Sequence, residues 1–211
     1  MGEAAPDSEA TRRLLESLES GESAAFDELF ARHRPFLRRV VEVRLDGKLR
    51  SRVDPSDIVQ ETHLEAYRRL PDYLERRPMP FRLWLRKTAC ERVMMAHRKH
   101  VQASRRSIDR ETSLASRSSD QLADQLLASG ISPSQELGKS ELARRVRQSV
   151  LQLPELDREI LLMRHFEGLS HREAAQLLEV EEAAARKRYG RALVRMSKLL
   201  AESGLTESQI R

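Results

Sequence analysis

The segment that decides the fold is LPELDREILLMRHFEGLSHREAAQLLEVEEAAARKRYGRALVRMSKLL, which occupies residues 153–200. Its apolar spacing predicts two short helices that meet at a tight turn, followed by a longer basic helix. Pro154 fits the first turn of the first helix, and Gly168 is expected to end that helix as a C-cap. Ser170 and Glu173 have the spacing of a capping box, so the second helix is expected to start there.

The third predicted helix has an apolar face and a basic face. At roughly 100° per residue, Lys187, Arg191 and Lys198 lie opposite the apolar residues, with Arg186 and Arg188 flanking them. A short helix, a tight turn and a second helix with basic residues near its start form the geometry of a helix-turn-helix that reads the DNA major groove. The apolar face is formed by Ala185, Tyr189, Ala192, Leu193, Met196 and Leu199.

A second interpretation fits the same pattern, namely a plain helical hairpin with a solvated arginine face. Basic charge alone does not exclude it, because charged side chains most often cover an exposed surface. The capping box, the small residues Ala174 and Ala175, and the apolar turn residue Val180 together favour the helix-turn-helix.

The composition limits the classes of protein and of fold. The 211 residues suffice for one or two domains, and the formal charge of +5 with a pI of about 9.7 suits an anionic partner such as nucleic acid. No apolar run approaches the roughly 18 residues of a membrane span, and residues 1–10 lack the basic region and apolar core of a signal peptide, so we expect a cytoplasmic protein. The single Cys90 and the absence of zinc-ligand spacing predict no disulfide, metal or cofactor. Scarce glycine and proline without strand-like alternation predict an all-α fold.

Further helices are predicted before the deciding segment. A long helix begins near Ser23, and Pro35 is expected to bend it because proline removes one backbone hydrogen bond. Asp54 as the N-cap and Pro55 at the first helical position announce the next helix, which Pro71 is expected to end.

The helix that begins after Asp54 carries two stripes of side chains. Val59, Thr62, Ala66 and Leu70 recur at helical spacing and are expected to face inward. From spacing alone, the mostly polar second stripe is best interpreted as a solvated face, and an acidic docking surface is the alternative. The second stripe consists of Asp57, Gln60, Glu61 and Leu64.

After a loop predicted at residues 72–80, a helix opens at Phe81 and runs to a basic end suited to phosphate. Residues 104–140 are rich in serine and poor in apolar side chains, which predicts a flexible linker with a short helix at Gln121–Ala128. The predicted architecture is therefore two small helical domains, at 23–103 and 141–203, joined by that linker, with an N-terminal extension at 1–22 and a C-terminal tail at 204–211.

Three segments carry a resemblance to a known family: DPSDIVQETHLEAY (54–67), FRLWLRKTACERV (81–93) and the deciding segment up to residue 193. In this order and spacing, the chain resembles the extracytoplasmic-function sigma factors of the bacterial sigma-70 family. The resemblance covers about residues 23–100 and 141–200. It implies a region 2-like domain that binds core RNA polymerase and the −10 element, and a region 4-like domain that binds the −35 element.

The resemblance also implies roles for particular residues. It changes the interpretation of the polar stripe on the helix that begins after Asp54 to a polymerase-binding surface formed by Asp57, Gln60 and Glu61. Contacts to the −35 element are expected from Arg186, Lys187, Arg188 and Arg191, and contacts to the −10 DNA from Arg82, Arg86, Arg98 and Lys99. The chain departs from the family pattern at Glu91, where an asparagine is common, and at Glu179, where a glycine is usual.

The implied function is promoter recognition and transcription initiation, with core RNA polymerase and promoter DNA as partners and an anti-sigma protein as a further candidate. A helix-turn-helix regulator that acts without polymerase is the alternative. Such a regulator would need a ligand-binding or dimerisation domain in the N-terminal half, where no such pattern occurs. No nucleophile–base pair, metal cluster or phosphate-binding loop indicates an enzyme.

Overall fold

The computed structural model describes residues 8–45, 47–50, 52–104, 114–128 and 138–204. Every regular element in these ranges is a helix, which confirms the predicted all-α fold. The chain divides into two compact units, Met1–Ile108 and Asp109–Arg211. The first unit contains α1 (Glu9–Glu19), α2 (Ala25–Arg44), α3 (Gly47–Arg50), α4 (Pro55–Arg76) and α5 (Phe81–Ser104). The second contains α6 (Leu114–Ala128), α7 (Lys139–Leu151), α8 (Glu155–Leu161), a π-helical turn (Leu162–Phe166), α9 (His171–Leu178) and α10 (Glu182–Glu202).

The core of the first unit lies between α2, α4 and α5, which pack on one another. Asp54 caps α4 as predicted, because its carboxylate accepts the N–H of Ser56 at 2.7 Å. The inward stripe of α4 is buried as predicted, at Val59, Thr62, Ala66 and Leu70. The buried apolar side chains of α2 are Ala25, Phe26, Leu29, Phe30, Leu37, Val40, Val41 and Val43.

The segment predicted as an N-terminal extension, residues 1–22, contains part of this core. α1 begins after Ser8, whose hydroxyl accepts the N–H of Thr11 at 3.2 Å. Leu15 and Leu18 of α1 are buried, and α1 packs against α2. Because these side chains fill core space, α1 is an integral helix of the first unit.

The predicted end of α4 at Pro71 is wrong, because the helix continues through Pro71 to Arg76. The proline removes one backbone donor, but the turn that follows it is held in place by Tyr73. The ring of Tyr73 is buried with its centroid 4.6 Å from that of Trp84, and its hydroxyl donates to the carbonyl oxygen of Met79 at 3.1 Å. Tertiary packing thus outweighs the local helix-breaking signal.

Part of the predicted linker is a packed helix. α6 begins at Leu114 rather than at Gln121, and it packs against α7 and α8 with Leu122 and Ala123 buried. The predicted short helix at Gln121–Ala128 is therefore confirmed as the C-terminal part of α6, whereas the flexible segment predicted for residues 114–120 is wrong. A short apolar stretch within the serine-rich sequence supplies the buried face of this helix. Residues 105–113 and 129–137 of the predicted linker, and 205–211 of the predicted tail, lie outside the described residues.

The helix-turn-helix forms through the local signals expected for it. Gly168, with φ of 75°, follows the π-helical turn and ends the first helix. The Ser170 hydroxyl accepts the N–H of Glu173 at 3.1 Å, and the Glu173 carboxylate accepts the N–H of Ser170 at 2.7 Å, which confirms the capping box. Glu179 then takes a left-handed conformation between α9 and α10, with φ of 54° and ψ of 43°.

The inward face of α10 is narrower than predicted. Ala185, Ala192 and Met196 are buried against the neighbouring helices, together with Leu200. Leu193 is 40% exposed, so its assignment to the buried face is wrong. It projects about 100° from Ala192 around the helix and therefore lies at the edge of the buried face.

Candidate functional site

The cations of α10 fall into two groups, those that have an acidic partner and those that do not. Lys187 and Arg191 are exposed, and in the described part of the chain neither of them has an acidic partner. They lie one turn apart on the outward side of α10, where an anionic ligand can meet them. The other cations of this helix form ion pairs: Arg186 with Glu182 at 3.2 Å, Lys198 with Glu202 at 3.7 Å, and both Arg188 and Arg195 with Asp157.

Asp157, in the first turn of α8, holds two of these arginines. Its side chain is 6% exposed, with one carboxylate oxygen 3.6 Å from Nη1 of Arg188 and the other accepting a hydrogen bond from Nη1 of Arg195. The two arginines are seven residues apart and therefore lie on one side of α10. Arg188, which was predicted to contact DNA, is thus also part of an ion pair between α8 and α10.

Small and apolar residues surround the two exposed cations. Ala183 and Ala184 are exposed in the first turn of α10, and a Cβ built at Gly190 would meet nothing within 4 Å. Val194 is 72% exposed on the same outward side. This face therefore lets another surface approach closely.

The stripe on α4 is exposed as a docking surface requires. Asp57, Gln60 and Glu61 all lie at the surface in the first two turns. Leu64, the next residue of the stripe, is 56% exposed, and Tyr67 beside it is also exposed. Exposed apolar side chains next to charged ones are typical of protein-interaction surfaces. Tyr67 is a candidate that the sequence pattern missed, because helical spacing alone does not separate a core aromatic residue from an exposed one.

The four residues expected to contact the −10 DNA lie in different environments. The guanidinium of Arg82 lies over the ring of Phe36, 4.0 Å from its centroid, and the side chain is half-buried. Arg86 is only 6% exposed, so the prediction that it contacts DNA is wrong. The reason is that α5 packs against both α2 and α4, which leaves little of its circumference in solvent. Arg98 and Lys99 are exposed near the end of α5.

Glu91, where the family pattern commonly has asparagine, is engaged within the first unit. Arg69 of α4 donates to the Glu91 carboxylate at 2.7 Å and pairs with Glu65 at 2.7 Å. The hydrogen bond to Glu91 raises the pKa of Arg69 above its ordinary value. Glu91 therefore ties α5 to α4.

The comparisons with known proteins agree with this arrangement of units. Residues 29–102 match the family described as sigma-70 region 2, and residues 143–196 match sigma-70, region 4. A helical unit of the first kind followed by a helix-turn-helix of the second kind defines a sigma factor, the subunit that directs core RNA polymerase to promoter DNA.

Similar proteins place the chain within that class. It is 30% identical over 198 residues to the RNA polymerase sigma factor CnrH of Cupriavidus metallidurans, covering 91% of this chain and 95% of that one. It is 28% identical over 193 residues to the RNA polymerase sigma-H factor of Pseudomonas aeruginosa, covering 91% and 94%. The chain belongs to the extracytoplasmic-function group of the sigma-70 family and is an RNA polymerase sigma factor.

A solved structure shares the fold. The structure of CnrH in complex with the cytosolic domain of CnrY is 26% identical to this chain, covers 92% of it and 99% of the solved chain, and superposes with a TM-score of 0.54. The region 2 match speaks against a regulator that acts without polymerase. Among the described residues, no helix is long and apolar enough to span a membrane.

Proposed function

We propose that the two units divide promoter recognition between them. The first unit binds core polymerase through α4 and the −10 DNA through α5, and the second reads the −35 element through α10. We place the domain boundaries at the limits of the folded units, so that the region 2-like domain includes α1 and the region 4-like domain includes α6. The observation that carries this assignment is the pair of exposed cations, Lys187 and Arg191, on the outward side of a helix-turn-helix.

The surface of α4 supports the polymerase contact. Asp57, Gln60 and Glu61 offer a charged and hydrogen-bonding rim, and Leu64 offers exposed apolar area beside it. Interfaces commonly combine a polar rim with an apolar centre, and a few centrally placed side chains supply most of the affinity. A basic partner surface would complement the two carboxylates.

The face of α10 supports contact with the major groove. Lys187 and Arg191 can donate hydrogen bonds to guanine O6 and N7 or to phosphate oxygens. The exposed methyl groups of Ala183 and Ala184 are suited to the thymine C5-methyl group. Arg186 pairs with Glu182 and lies at the flank of this face, so phosphate contact is the role we assign to it.

The end of α5 supports contact with the −10 DNA. Arg98 and Lys99 are exposed there and can neutralise phosphates, and the exposed part of Arg82 adds a third cation at the start of the same helix.

The protein acts in the cytoplasm as a non-catalytic subunit of RNA polymerase. Because CnrH was solved in complex with the cytosolic domain of CnrY, we propose that a partner protein binds this chain as well and acts as an anti-sigma protein.

The polymerase contact is tested with two variants, Glu61→Arg and Leu64→Asp. Both positions are exposed, so the free energy of unfolding should change by no more than about 0.5 kcal/mol. Each variant should lower the affinity for core polymerase at least about tenfold, as expected for a truncated or repelled interface contact. Glu16→Arg, at an exposed position of α1, is the matched control and should bind normally. Normal binding by both α4 variants would contradict the docking assignment.

A further inference from the structure

Asp157 is a buried carboxylate on α8 whose two arginine partners both lie on the helix proposed to read DNA. Its side chain is 6% exposed, whereas those of Arg188 and Arg195 are 32% and 47% exposed. The two guanidinium groups therefore share one buried negative charge, which offsets one of their two positive charges, while part of each faces solvent. An arrangement of this kind limits how strongly the two arginines attract an approaching phosphate.

The charge distribution along α10 gives this pairing a consequence for DNA binding. The helix carries six cations between Arg186 and Lys198, and four of them have carboxylate partners. Affinity that does not depend on base sequence increases with the number of cations that neutralise phosphates. Sequence is read instead by the few side chains that reach base edges. Pairing Arg188 and Arg195 with the buried Asp157 therefore lowers the sequence-independent affinity, and the reading of bases is left to Lys187 and Arg191.

We propose that Asp157 is a specificity-determining residue for reading the −35 element. It acts as a positioning residue, because it works through Arg188 and Arg195 and need not touch DNA. Its carboxylate holds both guanidinium groups back from the phosphates, so that the contacts of Lys187 and Arg191 with the bases decide which duplex is bound. The inference rests on the proposed role of α10.

A purely structural role for Asp157 makes a different prediction. If the carboxylate only joined α8 to α10, its loss would loosen the helix-turn-helix and weaken binding to every duplex alike. If it restrains the two arginines, its loss releases positive charge, so binding to unrelated sequences becomes tighter while the preference for the correct sequence decreases.

The test uses Asp157→Asn in the full chain, with folding checked by circular dichroism. We expect the variant to bind a random-sequence duplex about three- to tenfold more tightly, with a salt dependence steeper by about one to two units, since up to two more phosphates are neutralised. The second measurement uses the reconstituted holoenzyme and a promoter selected by the wild type, with its −35 element intact or scrambled. The preference for the intact element should decrease at least about threefold, because a larger share of the affinity no longer depends on base sequence. Unchanged values, or weaker binding to both duplexes by a folded variant, would overturn the proposal.

Two further sets of variants keep the proposal testable if Asp157→Asn does not fold. Arg195→Gln leaves Asp157 its pair with Arg188 and should keep the −35 preference within about twofold, because Arg195 is not proposed to read bases. Loss of preference in this variant would overturn the proposal. Lys187→Ala and Arg191→Ala test the proposed role of α10 separately. If both variants keep the wild-type −35 preference, the proposed role of α10 fails. If they lose this preference while Asp157→Asn behaves as a purely structural role predicts, only the inference about Asp157 fails.

Discussion

At the scale of single residues, His33 shows how burial sets the charge of a side chain. The ring lies between α1 and α5, with Nε2 3.4 Å from the Thr11 hydroxyl and the ring centroid 5.6 Å from that of Phe81. Burial, reinforced by the positive charges of Arg82 and Arg32, lowers the pKa of His33 from 6.5 to about 4. The folded first unit therefore holds a neutral imidazole at neutral pH.

This lowered pKa makes the first unit sensitive to acid. Below pH 6.5 the unfolded chain takes up a proton that the folded chain accepts only near pH 4, so the free energy of unfolding decreases as the pH falls through this interval. The loss attributable to His33 is on the order of 2 kcal/mol after allowance for its partial exposure. His33→Gln should remove that part of the pH dependence. Urea unfolding at several pH values measures this dependence, with the fluorescence of Trp84 as the signal, since Trp84 is the only tryptophan and a core residue of this unit. Equal pH dependence in the wild type and the variant would contradict the assignment to His33.

The surroundings of a site residue could be predicted from the sequence only where the side chain is exposed and has no partner on another helix. Asp57, Gln60 and Glu61 on α4, and Lys187 and Arg191 on α10, are exposed as expected. Neither helical spacing nor the family resemblance carries information about packing against other helices, so the burial of Arg86 and the ion pair of Arg188 could not be predicted. Arg86 is covered by helices packed on α5, and the partner of Arg188 lies 31 residues earlier in the chain.

At the scale of elements, the turn between α9 and α10 contains a strained residue. Glu179 adopts φ of 54°, a conformation that costs an ordinary residue about 1–2 kcal/mol and glycine much less. Glu179→Gly should therefore increase the free energy of unfolding of the second unit by about 0.5–1 kcal/mol, after subtracting the greater entropy of glycine in the unfolded chain.

Calorimetry of the full chain measures this change. Glu179→Ala is the matched control, because it removes the carboxylate and keeps the Cβ atom that causes the strain, and it should leave the stability nearly unchanged. If the alanine variant were stabilised as much as the glycine variant, the cause would be the charge of Glu179 and the strain argument would fail.

Elements whose signals are local were predictable, and those that depend on tertiary contacts were not. The cap at Asp54 and the capping box of Ser170 and Glu173 each involve residues two or three positions apart. The continuation of α4 beyond Pro71 depends on Tyr73 reaching the aromatic cluster of α5, and α6 depends on a buried face against α7 and α8. Neither contact is visible in a short window of sequence.

At the scale of the whole molecule, the chain consists of two helical units with different surfaces. The first presents an acidic and apolar stripe on α4, and the second presents cations on α10 whose number is reduced by ion pairs. A sigma factor must hold the polymerase tightly and still distinguish promoters from other DNA. Separate surfaces for the two tasks mean that a substitution in one should leave the other intact.

The most direct test of this division is transcription by holoenzymes reconstituted with the wild-type chain or with Lys187→Ala/Arg191→Ala. Templates carry a promoter selected by the wild type, with its −35 element intact or scrambled. We expect the double variant to bind core polymerase normally but to lose its preference for the intact −35 element by at least about tenfold, because each base contact is worth about 1–3 kcal/mol. A double variant that retained the wild-type preference, or one that no longer bound polymerase, would contradict it.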